Sequence, residues 1–282
     1  MSAFTQSWLE QREPLDRAAR NTHVLDACAD CFSGREALAV CDLGAGTGSS
    51  LRAFAARLPP RQQWTLVDHD ENHLAAACTS LRRWASGSVE DSPDGFRLSH
   101  DSIDIAVRTL ACDLSKSCDA AIGNAGLVTA SALFDLVSDD WLGRFVSGLA
   151  ARRIPLYAAL TFDGEIRFSP AHPRDGIMID AFLAHQRGDK GFGPAAGAGA
   201  HAALIRHLKA AGYTMVDGAS PWRLDTATPG VMDAFLDGMA EAAREVGRLD
   251  PRDATAWRED RRMQTIAITV GHRDLFAAPP PG

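Results

Sequence analysis

Apolar positions along the chain alternate between two spacings. Ala37–Leu43 is a short apolar run ending in glycines, which reads as a strand and its turn. Residues 49–58 follow with Leu51, Phe54, Ala55 and Leu58 at i, i+3, i+4 and i+7, one buried face of a helix that Pro59-Pro60 stops. Residues 64–67 give a second strand, and Leu74, Ala77, Cys78 and Leu81 repeat the helical face. Residues 103–112, 127–130 and 154–162 read as three more strands. Between the last two, Leu142, Phe145, Val146 and Leu149 mark a helix that Ser138 or Asp139 can cap. Strands alternating with amphipathic helices predict a parallel sheet covered on both faces.

Outside this stretch the pattern is less regular. The N-terminal stretch reads as helical, with Pro14 suited to a first turn and residues 16–29 continuing at helical spacing. Residues 86–102 are polar with Pro and Gly, and 163–176 contain Pro170 and Pro173, so both read as loops. A short helix at 179–186, a Gly/Ala-rich loop at 188–200, a helix at 201–211, a strand at 213–216, a helix at 231–246 and a strand at 265–270 complete the chain. Pro279-Pro280-Pro281 reads as a frayed end. No internal repeat or linker divides the 282 residues, so residues 1–282 are expected to form one domain. Residues 1–36 would be a helical cap, 37–162 the core and 163–282 a substrate-side half.

Composition narrows the class. Hydrophobic residues make up 46% and charged residues 23%, as in ordinary soluble globular proteins. The net charge of −7, with no long basic run, argues against a nucleic-acid partner. No apolar run approaches the roughly 20 residues that span a bilayer, and residues 1–13 lack the features of a signal peptide. A cytoplasmic location without membrane contact is therefore expected. Of the six cysteines, Cys28 and Cys31 form a CxxC without a second ligand pair, so plain buried thiols are expected rather than zinc or redox chemistry. No metal is expected.

The chemistry concentrates in Asp42-Leu43-Gly44-Ala45-Gly46-Thr47-Gly48. A glycine turn between strand and helix lets a ligand approach the backbone. In a dinucleotide GxGxxG fingerprint the third glycine would fall on Ser49. Asp42 would also repel a pyrophosphate, whereas it suits a sulfonium or ammonium group.

The segment resembles motif I, D/E-x-G-x-G-x-G, of the class I S-adenosylmethionine-dependent methyltransferases. That resemblance implies a Rossmann-like seven-stranded α/β sheet, mostly parallel with the last strand antiparallel and helices on both faces. It implies S-adenosyl-L-methionine as cofactor, with Asp42, Gly44, Ala45, Gly46 and Gly48 wrapping its methionine half. Asp68 would accept the ribose hydroxyls, His69 would flank the adenine, Asp113 would contact the adenine amino group with Leu114 packed nearby, and Ala130 and Ser131 would line the methyl-donor pocket. The family joins its last two strands by a tight hairpin; here residues 225–262 form a helical insertion that could close over substrate or mediate a homodimer.

Substrate residues are less fixed in this family. His185, Arg187, Asp189 and Lys190 crowd a glycine-flanked stretch that is either a solvated loop or a lid. Arg12 and Arg20 lie on the N-terminal helix, where either could bind the cofactor carboxylate or a substrate, or simply form surface salt bridges. The expected reaction is in-line methyl transfer to a hydroxyl or amine of a small molecule. His185 is the first candidate base and His172 the second, with Arg187 and Lys190 available for an acidic group. Two other classes compete. Gly123-Asn124-Ala125-Gly126 resembles in part the NAG segment of NAD(P)-dependent short-chain dehydrogenases, but Tyr157 and Tyr213 are followed four residues on by Thr161 and Asp217, not Lys. A non-catalytic binding protein on the methyltransferase fold is the other.

Overall fold

The computed structural model describes residues 5–116, 118–247 and 249–280. Its centre is a mixed sheet of strands β1 (Ala37–Leu43), β2 (Arg61–Asp68), β3 (Val89–Ser92), β4 (Gly95–His100), β5 (Ile103–Ala111), β6 (Leu127–Ser131), β7 (Leu156–Ser169), β8 (Thr214–Ala219), β9 (Trp222–Asp225) and β10 (Ala267–Ala278). They lie in the order β3-β4-β5-β2-β1-β6-β7-β10-β8, with β9 also on β10. Neighbours from β5 to β7 are parallel, and β10 is antiparallel to both β7 and β8. Removing β3, β4 and β9 leaves seven strands of which only the last runs backwards.

Three expectations are corrected. Residues 89–100 form an antiparallel hairpin on β5 rather than part of a loop, because Phe96 and Leu98 bury one face against the core while β3 stays exposed. β7 continues to Ser169 through the expected loop, since its pairing with β10 runs from Leu156 to Ser169. Among the described residues the sheet thus has ten strands, β3, β4 and β9 being added to the expected seven.

Helices cover both faces. On one lie α2 (Thr22–Cys31), α3 (Ser49–Phe54) and α4 (Glu71–Trp84), packed through Leu25, Leu51, Phe54, Leu74 and Leu81 on Val40, Leu66 and Tyr157. On the other lie α5 (Asp119–Ile122), α6 (Asp139–Arg152) and α8 (Ala200–Ala210), with Trp141, Phe145, Leu149 and Leu204 against Cys41, Val128 and Ala158. A third core joins α7 (Asp175–Gln186), α9 (Pro229–Val246) and α10 (Pro251–Gln264) to the extended ends of β7 and β10. The insertion is therefore two helices. Among the described residues, no helix is long and apolar enough to cross a membrane.

The N-terminal helix is broken in two. α1 (Gln6–Ala19) starts with the Thr5 hydroxyl accepting from Trp8 N–H, which puts Pro14 inside the helix rather than in its first turn. Arg20 turns the chain, and Asn21 caps α2 through Val24 N–H. Cys28 and Cys41 are buried, but Cys31 is exposed, against the expectation of buried thiols.

Candidate functional site

Chain direction across the sheet reverses at β1. From there β2 and β5 lie to one side, β6 and β7 to the other. The crevice beyond the carboxyl ends of the strands at such a switch point is where open α/β sheets bind ligands, and the glycine loop 44–48 lies there. Gly44, Gly46 and Gly48 all have positive φ, at 65°, 52° and 79°. A Cβ on Gly46 would lie 3.2 Å from the Leu9 side chain of α1, so α1 covers the loop. Glu13 of α1 accepts from Arg52 Nε at 2.8 Å, and Arg52 Nη1 donates to Thr47 O at 2.9 Å, which ties the cover down.

Two carboxylates support the loop. Asp68, at the end of β2, accepts Gly46 N–H on Oδ2 at 2.8 Å and Asp70 N–H on Oδ1 at 3.0 Å. His69 is exposed with Nδ1 3.2 Å from Asp68 Oδ1. Asp42 is 1% exposed and meets no donor in full hydrogen-bond geometry, with only the Ser50 hydroxyl acting weakly on it. Its register neighbour on β6, Thr129, is buried with an unpartnered hydroxyl. Burial, partly offset by Arg20 and reinforced by Asp68, pushes the Asp42 carboxyl up to about 7. A buried, unsatisfied carboxylate is costly and needs a partner.

Arg20 is also buried. Its guanidinium donates to Tyr157 Oη at 3.3 Å, Ser131 Oγ at 3.4 Å and Ser50 Oγ at 3.5 Å, while its Nε–H is unpartnered. Tyr157 Oη donates to Asp274 Oδ2, and Asp274 also accepts Leu160 N–H and Asn21 N–H. Ala130 is fully buried below Ser131. Beside this cluster, Ala132 and Leu160 hold φ of 52° and 55°, left-handed conformations that cost a non-glycine residue about 1–2 kcal/mol and concentrate at functional sites.

Other expected residues sit at the rim or farther away. Asp113 follows β5 but is turned onto its own loop, accepting from Ser115 and pairing with Lys116 at 3.0 Å, which holds its carboxyl near 2. Leu114 is buried, and its carbonyl accepts Trp141 Nε1–H. Arg12 points from α1 toward Asp16, at 2.9 Å, and over the Trp222 ring.

The second-half residues pair within the helical layer and its loops. His185 lies 2.8 Å from Glu245 of α9. α9 begins beside Gln11 of α1, near Gly230, and 15 helical residues at about 1.5 Å each carry Glu245 roughly 22 Å beyond. That places His185 away from the glycine loop. His172 faces Asp260 of α10 and accepts Arg174 N–H on Nδ1. The Asp189 carboxylate closes its own turn on Gly191 and Gly193 N–H, and Phe192 and Ala196 dock on Trp141 and Val137. The stretch carrying Arg187, Asp189 and Lys190 is therefore folded against α6 and the segment that precedes it.

Sequence reasoning missed Asp135, Trp222 and His272. Asp135 is 9% exposed with an unpartnered Oδ1, and burial pushes its carboxyl up to about 6. Its signal was a lone charge inside the apolar run 132–137.

The strand order β5-β2-β1-β6-β7-β10-β8, with β10 reversed and a glycine loop after β1, is the class I methyltransferase fold. No protein-family model matches the sequence, and no curated protein matches it. Among solved structures, a Bacillus halodurans protein named as a candidate methyltransferase aligns over 91% of this chain and 99% of its own, at 12% identity and a TM-score of 0.52. The YcgJ protein of Bacillus subtilis aligns over 93% and 100%, at 12% identity and 0.49. A cyclopropane synthase of Mycobacterium tuberculosis aligns over 91% and 83%, at 12% identity and 0.47. The likeness to the first is one of fold.

Proposed function

We propose that this protein binds S-adenosylmethionine in the crevice above β1 and β6 and transfers its methyl group to a small-molecule acceptor. When bound, that cofactor supplies an electrophilic methyl on a sulfonium. The observation that carries the reading is Asp42, a buried carboxylate with no ion-pair partner, two residues before a glycine loop. A cationic ligand is the partner such a group lacks, and a pyrophosphate is one it would repel.

The neighbouring groups fit the same ligand. Arg20 carries an unpartnered Nε–H and suits the amino-acid carboxylate. The positive φ of Gly44 and Gly46 allows close approach of the ligand to the backbone. Asp68 suits the ribose and Asp113 the adenine, although Asp68 now braces Gly46 and Asp113 now accepts from Ser115. Both would exchange those bonds on binding. Tyr157 serves the Arg20–Asp274 network, which removes it from the hydride-transfer role a dehydrogenase would need. The acidic net charge of −7 favours a small acceptor over a nucleic acid.

The test is transfer of label from methyl-labelled S-adenosylmethionine to a panel of small phenols, alcohols and amines. Labelled product from the wild type, lost in Asp42→Asn, supports the reading. Binding of the cofactor with no transfer across the panel would favour a binding protein on this fold.

A further inference from the structure

A second buried carboxylate with an unpartnered oxygen lies on the same rim of the sheet. Asp135 comes four residues after Ser131, whose hydroxyl accepts from Arg20, so it borders the proposed cofactor crevice. Its carboxylate faces the Phe162 backbone on β7 and the Arg12 side chain on α1, and Oδ1 is left unpartnered. Other buried carboxylates nearby are satisfied. Asp16 accepts from Arg12 and Trp222, and Asp274 from Leu160, Asn21 and Tyr157.

Phe162, whose backbone faces Asp135, belongs to a cluster of rings. His272 pairs in register with Phe162, and their rings are 6.0 Å apart. The Trp222 ring lies 5.0 Å from His272 and 6.1 Å from Trp8, and Phe182 lies 6.0 Å from Phe162. His272 is held neutral by burial and, after it, by Arg12, and its Nδ1 hydrogen bonds to Val270 O at 3.1 Å. The carbonyl can only accept, so Nδ1 carries the proton and Nε2 keeps its lone pair. A cationic ligand is disfavoured here because Arg12 already lies over the Trp222 ring, 5.5 Å from its centroid.

We propose that Asp135 is the catalytic base of this protein and that the pocket it shares with His272, Phe162 and Trp222 binds a neutral aromatic acceptor through its hydroxyl group. The chemistry rests on the methyl-transfer reading. The acceptor O–H donates to Asp135 and gives up its proton to that carboxylate. The acceptor oxygen forms a bond to the methyl carbon as the S–C bond of the sulfonium breaks, and that electron pair stays on sulfur. Asp135 follows β6 with an unpartnered oxygen, whereas His185 is tied through Nε2 to Glu245 of α9, away from the glycine loop.

The test separates this pocket from the cofactor reading. Tryptophan fluorescence of the ligand-free protein is titrated at neutral pH with 4-cyanophenol and with benzonitrile, which lacks the hydroxyl. The wild type is expected to bind the phenol at least about tenfold more tightly, since a buried acceptor left unpaired penalises the analogue. Asp135→Ala should bring the two affinities together while leaving calorimetric binding of S-adenosylhomocysteine within about threefold. Equal wild-type affinities, no binding of the phenol, or a preference that survives in Asp135→Ala would each overturn the proposal. The wild-type comparison needs no variant to fold. Failure of S-adenosylhomocysteine to bind the wild type would overturn the cofactor reading without altering the phenol comparison.

Discussion

Asp68 Oδ2 accepts the backbone N–H of Gly46 at 2.8 Å, so the acidic end of β2 holds the glycine loop that follows β1. Removing the carboxylate leaves a backbone donor unpaired beside a left-handed glycine. Asp68→Ala should lose about 1–3 kcal/mol of stability in urea unfolding, as for a buried donor stripped of a charged partner. It should also weaken S-adenosylhomocysteine by tenfold or more in calorimetry. An unchanged midpoint would mean the loop needs no such brace.

Arg20 separates two functions that a single loss of activity would confuse. It is buried among Asp16, Asp42 and Asp274, so Arg20→Met strands buried carboxylates and should cost about 3–5 kcal/mol. Arg20→Lys keeps the charge but loses the planar fork that reaches Tyr157, Ser50 and Ser131 together. Its stability should fall by less, and its affinity for S-adenosylhomocysteine should drop at least about tenfold. Thermal melts and calorimetry on both variants check the split.

Asp42 gives a signed pH dependence. Its folded value, about 7, stands above the ordinary 3.8. The folded protein therefore holds a proton that the unfolded chain has released. Its contribution to stability is complete below about pH 4 and is lost as pH rises through about 7. Asp135, raised to about 6, acts in the same direction over a narrower window. The wild type should lose stability relative to Asp42→Asn between pH 4 and 8, by on the order of 2–4 kcal/mol. Urea midpoints across that range for both proteins read the difference directly. A wild type that gains on the variant as pH rises would contradict the burial of this carboxylate.

His185 supplies a negative control. Its ion pair with the half-exposed Glu245 lies on the surface of the helical layer, and such pairs are worth at most about 1 kcal/mol. His185→Ala should leave methyl transfer and its pH profile unchanged. A twofold or greater loss confined to high or low pH would return His185 to the site.

The glycine loop and the first-half strands were legible because local rules fix them. β1 coincides with its apolar run from Ala37 to Leu43, and the glycines that follow mark its turn. The hairpin 89–100 was not legible, because only Phe96 and Leu98 in it are buried and its polar residues resemble a loop. The Asp135 pocket was hidden for a different reason. Its members come from α1, the segment after β6, β7, β9 and β10, and only the antiparallel return of β10 brings His272 beside Phe162. Glycine-flanked polar residues at 185–193 drew attention instead, and there packing on α6 outweighed composition.

The central claim is that an amino-acid nucleoside binds with a cationic group, its α-ammonium or sulfonium, over Asp42. Calorimetric titration with S-adenosylhomocysteine, and separately with NADH, tests it most directly. The account predicts micromolar binding of the former that is lost in Asp42→Asn and in Gly46→Ala, whose new Cβ would sit at φ 52° and 3.2 Å from Leu9. Binding of NADH with none of S-adenosylhomocysteine would contradict it.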